Sequence, residues 1–260
     1  MYLNGVGLTG LGETLLYPHL VEFVRYIRSK NEFVGISLST NAIKPDAPKI
    51  VNAIADQIDS LQISIDGCGE VFEKIRRNAT WEKYLANLKE IAKIVNGRRA
   101  KILLNMVVLE DNYGQMADII RLAKSLKIPR VYFNTFNLVA NNWDTSYYQF
   151  YQTDAFKEAI REAVELGNRE EVIVGYYNMC SPPGIKNCPF PWGSFYVTWD
   201  GFLVPCCAKP FPKEKHFGNV FERGLIDCVN DNEFLKFREM SVKGIIPKFC
   251  LRCHIVTSPN

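Results

Sequence analysis

At 260 residues and 47% hydrophobic content the chain can bury one large core, or a main domain with a small appendage. Its 31 basic and 28 acidic residues leave a net charge of +3, too balanced for a surface that grips nucleic acid or a membrane. No apolar run approaches the roughly 20 residues that span a bilayer, and Glu13, Glu22 and four glycines interrupt the N-terminal stretch where a signal peptide would be apolar, so a soluble, cytoplasmic protein is expected.

In chain order, strand-like runs are expected at 2–8, 33–40, 61–66, 100–109 and 130–136, and amphipathic helices at 18–30, 46–57, 81–96 and 114–126. The third helix shows its period plainly: Trp81, Tyr84, Leu85, Leu88, Ile91, Ala92 and Val95 recur on one face, with Glu82, Lys83, Lys89 and Lys93 outside it. Five strands alternating with helices, and apolar on both faces, imply a parallel α/β sheet, open or closed into a barrel. In either arrangement ligands gather at the carboxyl ends of the strands.

Those ends carry small polar residues: Gly10 to Glu13, Ser39 to Asn41, Ser64, Asp66-Gly67, Asn112, Asn134 and Asn137. Any one of them is explained as a turn former; their repetition along one edge suits a nucleoside-sized ligand better than a protein partner. The stretch Gly5 to Gly10, GVGLTG, matches the dinucleotide pattern G-x-G-x-x-G, but only four residues precede it and the next strand ends in Ser39-Thr40-Asn41 without the required acid. A nicotinamide site is therefore not expected.

After a helix at about 153–167 the composition changes. The segment from Tyr176 is rich in Pro and Cys, which signals a small, loop-dominated module, and Asp200-Gly201 between FYVTW and FLVP predicts a two-residue hairpin. The hairpin arms would bring Cys188 near Cys206, and with Cys250 and Cys253 a four-thiolate set is available. In a reducing cytosol the eight cysteines are expected as thiols or metal ligands rather than disulfides. Spacing alone leaves structural zinc and an iron–sulfur cluster equally open.

The stretches GLTGLGETLLYPHL, LSTN, LQISIDGCGEVFEKIRRNATWEKYLANL and FNTFN, in this order on successive βα units, resemble the radical S-adenosylmethionine (SAM) enzymes. The tail, CPFPWGSFYVTWDGFLVPCC through HFGNVFE to FCLRC, resembles their C-terminal auxiliary-cluster domain of the SPASM or shortened "twitch" type. The resemblance covers nearly the whole chain. It implies a partial (β/α) barrel over 1–170, lacking its first βα unit, followed by a Cys-rich SPASM/twitch domain with a β-hairpin over 171–260. It implies an oxidoreductase or maturase that uses a 5′-deoxyadenosyl radical to abstract hydrogen from a peptide or small molecule. It also implies one auxiliary [4Fe-4S] cluster on Cys188, Cys206, Cys250 and Cys253, with flavodoxin or ferredoxin as electron donor. Cys253 lies too near the end of the sequence for the further cysteines of a two-cluster domain.

Carried over by position, Gly10, Gly12 and Glu13 correspond to the motif that binds the SAM amino group, Ser64 to a ribose contact, and Arg76 to a partner of the SAM carboxylate. Thr40, Asn41, Asn105 and Asn134 would form the pocket wall. The sequence departs from the family in one respect: none of its cysteines, at 68, 180, 188, 206, 207, 228, 250 and 253, forms the C-x3-C-x2-C loop that holds the SAM cluster. A second [4Fe-4S] cluster is expected only where such a loop is present. The resemblance therefore implies either an N-terminally truncated enzyme, inactive as given, or a homologue that has lost catalysis and serves as a four-cysteine zinc module for structure or interaction. Cys207 is expected in the core, because neighbours in a strand face opposite ways, and Cys68 as a buried thiol.

Overall fold

The computed structural model describes residues 3–136, 145–177, 188 and 190–250. The chain divides into two compact units, one of Met1–Thr135 with Gln152–Tyr177, the other of Phe136–Tyr151 with Asn178–Asn260.

The first unit alternates strand and helix. Its elements are β1 (Gly5–Leu8), α1 (Leu20–Lys30), β2 (Gly35–Thr40), α2 (Ala47–Ile54), β3 (Ser60–Ser64), α3 (Gly69–Ile75), α4 (Trp81–Val95), β4 (Lys101–Val108), α5 (Met116–Ser125), β5 (Arg130–Thr135), α6 (Asp154–Glu170) and β6 (Ile173–Tyr177). All neighbouring strands pair in parallel, in the order β1-β2-β3-β4-β5-β6. The sheet is open rather than a closed barrel, and it has six strands where five were expected, β6 being the addition. Because the order never reverses, right-handed crossovers place every connecting helix on the same face.

That single-sided layering decides which residues are buried. Ile36 and Leu38, Leu61 and Ile63, Leu104, Met106 and Val108, and Val131 and Phe133 alternate along the strands and are all at most 1% exposed under the helices. Each such side chain contributes roughly 1.5–3 kcal/mol relative to exposure. The alternate positions, in register from strand to strand, are Gly5 and Gly7, Gly35 and Ser37, Ser60 and Gln62, then Ser64 opposite Asn105 and Asn105 opposite Tyr132. The expectation of strands apolar on both faces thus fails in β1 to β3 and holds in β4, where Leu103 and Val107 flank Asn105 on the second face. Helices cover one side, and the other is small and polar across β1 to β3 and mixed across β4 and β5.

The helices follow from their patterns. Tyr84, Leu88, Ile91, Ala92 and Val95 are the buried face of α4, and Gly97 just beyond it takes φ +77°, the left-handed turn that ends a helix and suits glycine. Thr153 caps α6 by accepting the Phe156 N–H (3.3 Å). At the amino ends of the strands Arg28 ties the layers together. It donates to the carbonyls of Gln57 (2.6 Å from Nη2) and Val34 (2.8 Å) and to Asp59 Oδ2 (2.8 Å). Asp59 also accepts from the Ile36 N–H (2.8 Å) and Arg99 (2.7 Å). Burial pushes the Asp59 carboxyl up, but the amide and the two guanidiniums outweigh it and hold it below its ordinary value.

The second unit is smaller and more irregular. It contains α7 (Phe190–Gly193), β7 (Tyr196–Val197), β8 (Leu203–Val204), α8 (Val220–Arg223), α9 (Leu225–Val229) and α10 (Asn232–Val242). Its core is Leu203, Phe217, Cys228, Val229, Phe234 and Phe237, with Phe195, Phe249 and Cys250 packed against it. The expected hairpin forms, with β7 antiparallel to β8. Its turn is longer than two residues: the Gly201 N–H donates to the Thr198 carbonyl (2.9 Å), and the Thr198 N–H to the Phe202 carbonyl (2.9 Å). Gly201 has φ +90°, and a Cβ there would lie 2.5 Å from both Asn219 and Phe221, so only glycine fits. Among the described residues no helix is long and apolar enough to cross a membrane.

Candidate cofactor site at the strand ends

The loop after β1 delivers Glu13 to the carboxyl end of β2. Glu13 Oε1 accepts from the Leu15 N–H (3.0 Å) and the Thr40 hydroxyl (2.5 Å), and Oε2 accepts from the Asn41 N–H (2.7 Å). A carboxylate offers roughly four acceptor positions, so one remains after these three bonds. Thr40 is 3% exposed and its oxygen also accepts the Ala42 N–H (2.9 Å). Ala42 is buried with φ +53°, a left-handed conformation that is strained for alanine, and Asn87 on α4 fastens it by donating to the carbonyls of Ala42 (2.9 Å) and Lys44 (3.0 Å). Asn41 Oδ1 accepts from the Ile43 N–H (3.0 Å). Gly10 and Gly12 precede this anchor with exposed backbone, and Gly12 has φ +111°.

At the next strand end, Arg76 closes α3 and pairs with Asp66 (Nη2 to Oδ2, 2.7 Å). Asp66 is 7% exposed, and its Oδ1 accepts the Val107 N–H (2.9 Å), while Asn112 donates to the carbonyls of Asp66 (3.1 Å) and Val107 (2.9 Å). No local pattern marks the Asp66–Arg76 pair, ten residues apart across a loop and a short helix. Arg76 Nε is buried without a protein partner among the described residues. Ser64 sits on the open face, its carbonyl accepting the buried Tyr84 hydroxyl (3.0 Å), and burial pushes the Tyr84 phenol well above its usual range. Asn105 and Asn134 share that face and are hydrogen-bonded to each other.

The strand-end residues expected from sequence thus fall into two groups. Gly10, Gly12, Glu13, Thr40 and Asn41 form one knot, and Ser64, Asn105 and Asn134 line the open face; Arg76 stands beside them in the Asp66 pair. Asn137 lies outside the described residues. Gly5 and Gly7 are inside β1 rather than in a loop, as the rejection of a dinucleotide fingerprint requires. Exposed glycine backbone, one spare carboxylate position and the partly exposed Arg76 guanidinium make a site suited to a zwitterionic ligand with both ammonium and carboxylate groups.

In the second unit Cys188, Cys206 and Cys250 are half-buried, and Cys250 packs on the aromatic core that contains Leu203, three residues before Cys206. Cys253 lies outside the described residues, and among those described no three Cys, His, Asp or Glu side chains converge as a metal site. Cys207 is exposed, not in the core. The strand ends at Val204, and Cys206 opens a turn closed by the Lys209 N–H donating to its carbonyl (3.2 Å), so strand alternation does not govern Cys207. Cys228 is the buried thiol of the unit, and burial pushes its pKa up. Cys68 is half-buried, and burial pushes its pKa up to about 11. Cys180 is outside the described residues.

Two family models match this chain: the radical SAM superfamily over residues 3–123, and the iron–sulfur cluster-binding domain SPASM over residues 188–254. The second match begins at Cys188 and ends one residue after Cys253. Among solved structures, Streptococcus suis SuiB bound to its precursor peptide SuiA aligns with a TM-score of 0.67 at 16% identity, over 97% of this chain and 59% of that one. SuiB bound to S-adenosylmethionine gives 0.66 at 16%, over 97% and 59%. The enzyme anSMEcpe with bound AdoMet gives 0.63 at 17%, over 91% of this chain and 66% of that one. At such identities the likeness is one of fold, and the chain spans about 59% of the length of SuiB. No curated protein sequence matches.

Proposed function

Since the chain belongs to the radical SAM superfamily and carries a SPASM domain, we propose that it is the SAM-binding and auxiliary-cluster portion of a maturase or oxidoreductase acting on a peptide. The observation that carries this reading is the strand-end arrangement, in which an anchored carboxylate, bare glycine backbone and a partly exposed arginine stand on one edge of a parallel sheet.

In this reading Glu13, with the carbonyls of Gly10 and Gly12, receives the SAM ammonium, and Thr40, Asn41 and Asn87 hold that carboxylate still. Arg76 meets the SAM carboxylate, oriented from behind by Asp66. Ser64 meets the ribose, and Asn105 and Asn134 form the floor. Bound to a reduced cluster, SAM supplies a carbon-centred radical able to take hydrogen from a substrate. Cys188, Cys206, Cys250 and Cys253 would hold the auxiliary [4Fe-4S] cluster, as four thiolates suit iron–sulfur ligation, and Cys250 packs against the aromatic core of the unit. A peptide rather than a small molecule is the substrate class, by fold likeness to SuiB, which binds a precursor peptide. A flavodoxin or ferredoxin supplies the electron.

The eight cysteines contain no C-x3-C-x2-C loop, so in this reading the chain holds no SAM cluster of its own and is expected not to cleave SAM. Anaerobic reconstitution followed by metal and sulfide analysis tests the assignment. The expected result is about four irons with sulfide per chain; a single zinc would replace it with the non-catalytic module. Dithionite and SAM should yield no 5′-deoxyadenosine above background, and a positive result would overturn the inactivity of this chain.

A further inference from the structure

At the amino-terminal end of the sheet, opposite the strand ends just described, a cleft of about 500 Å³ opens between the C-terminal ends of α4 and α5. These two helices pack closely elsewhere, α4 on α2 and α5 on α6. The floor is apolar, with Ala92, Val95, Ala100 and Ile102 all buried. The rim carries Lys89, Lys93, Lys101 and Lys127, and no Asp or Glu lines the cleft.

Among the described residues none of these four lysines forms an ion pair. Three nearby acids are engaged elsewhere, Asp56 with Arg98 (2.6 Å), Asp59 with Arg28 and Arg99 (2.8 and 2.7 Å) and Glu171 with Lys124 (2.9 Å), while the exposed Glu90 stands beside Lys89 on α4. Lys101 Nζ has only the Arg98 carbonyl at 3.4 Å. Lys89 and Lys93 are one helical turn apart, an arrangement that is unfavourable without a counter-charge. Helix-end electrostatics account for Lys93, in the last turn of α4, and for Lys127, just past the end of α5, but not for Lys89 or Lys101. Lys127 follows α5 with φ +56°, a left-handed position where glycine is unstrained, so a lysine is kept there against the backbone preference.

The four ammonium groups are spread over two helix ends and the start of a strand, a distribution that one small ion cannot satisfy. The apolar floor asks for a side chain that nucleic acid does not offer. We propose that this cleft docks an acidic, amphipathic segment of a partner protein, its carboxylates meeting the four lysines and an apolar side chain resting on the Ala92–Ile102 floor.

Fluorescence anisotropy tests this with the intact chain and a fluorescein-labelled peptide of alternating Glu-Glu-Leu-Leu blocks. Reversing Lys89→Glu with Lys93→Glu should weaken binding by about tenfold or more, as the loss of close charge pairs does. Reversing Lys49→Glu with Lys83→Glu, exposed lysines outside the cleft, should leave it unchanged. Lys127→Gly should raise the melting temperature while lowering affinity, a pairing of effects that a purely structural lysine would not give. Equal losses in both double variants, or oligoglutamate binding as tightly as the peptide, would reduce the site to surface charge and overturn the proposal. So would displacement by inorganic phosphate at constant ionic strength, or self-association of the chain abolished by the cleft variants.

Discussion

The two units are stabilised by different means. The first buries one aliphatic face of its six paired strands under helices, so each strand is secured by its neighbours and by a helix. The second, among its described residues, has two strands of two residues each and a cluster of six buried core residues, four of them aromatic or thiol. A core that small leaves the second unit dependent on something beyond burial, and four thiolates on one cluster would supply it. The first unit needs no such cross-link.

The sharpest way to break that comparison is to remove a ligand. Cys206→Ala should lose most of the reconstituted iron and its broad visible absorbance, and should speed amide exchange throughout the second unit while the sheet keeps its protection. Cys207→Ala should keep both, since that side chain is exposed beside the turn. Hydrogen exchange that rises equally in both units would show them to be one cooperative body.

Next comes Phe234→Ala, which removes an aromatic ring that packs against Phe217 (4.9 Å between centroids) and Phe237 (6.0 Å). It should cost about 3–5 kcal/mol, enough to unfold the second unit in a denaturant titration that leaves the sheet's transition in place. Within the sheet, Gly175→Ala places a Cβ 2.1 Å from the Tyr132 ring, so the ring must swing out over the open face. A loss of about 1–3 kcal/mol in the sheet transition alone is expected.

The smallest effect is electrostatic. The Asp59 carboxyl is held below its ordinary value, so its contribution is present above the unfolded value near pH 4 and is lost as pH falls through the lower folded value. Asp59 is 35% exposed in its side chain, so on the order of 1 kcal/mol or less is at stake. Urea midpoints measured between pH 7 and pH 3 should fall less steeply in Asp59→Asn than in the parent chain.

What the sequence disclosed follows the same division. The strands and long helices of the first unit were legible because each has a clear period; the face of α4 was read residue by residue. Short α3 was missed because Gly67, Cys68 and Gly69 read as a loop and only Val71, Phe72 and Ile75 mark it. Strand β6 was missed because IVGYY merges into Pro- and Cys-rich text. The polar half of each strand was visible letter by letter, as in GISLST and SLQIS, yet was overlooked when the runs were read as apolar overall. In the site, Glu13 was found from its motif, whereas Asn87 and Asp66 act through contacts 45 and 41 residues away, to Ala42 and Val107, which no local pattern reveals. The misplacement of Cys207 came from extending a strand three residues beyond its end.

The unbroken strand order has a consequence for how the chain is made. As residues leave the ribosome, each new strand finds its partner already in place at a single growing edge, and none has to be threaded between two that are paired. The separations to be closed are those of one strand–helix repeat, such as Ser37 to Ser60 or Arg130 to Ile173, which keeps the entropy of each closure small. The first unit is therefore built for stepwise assembly during translation, up to β6, before the last cysteines have been synthesised.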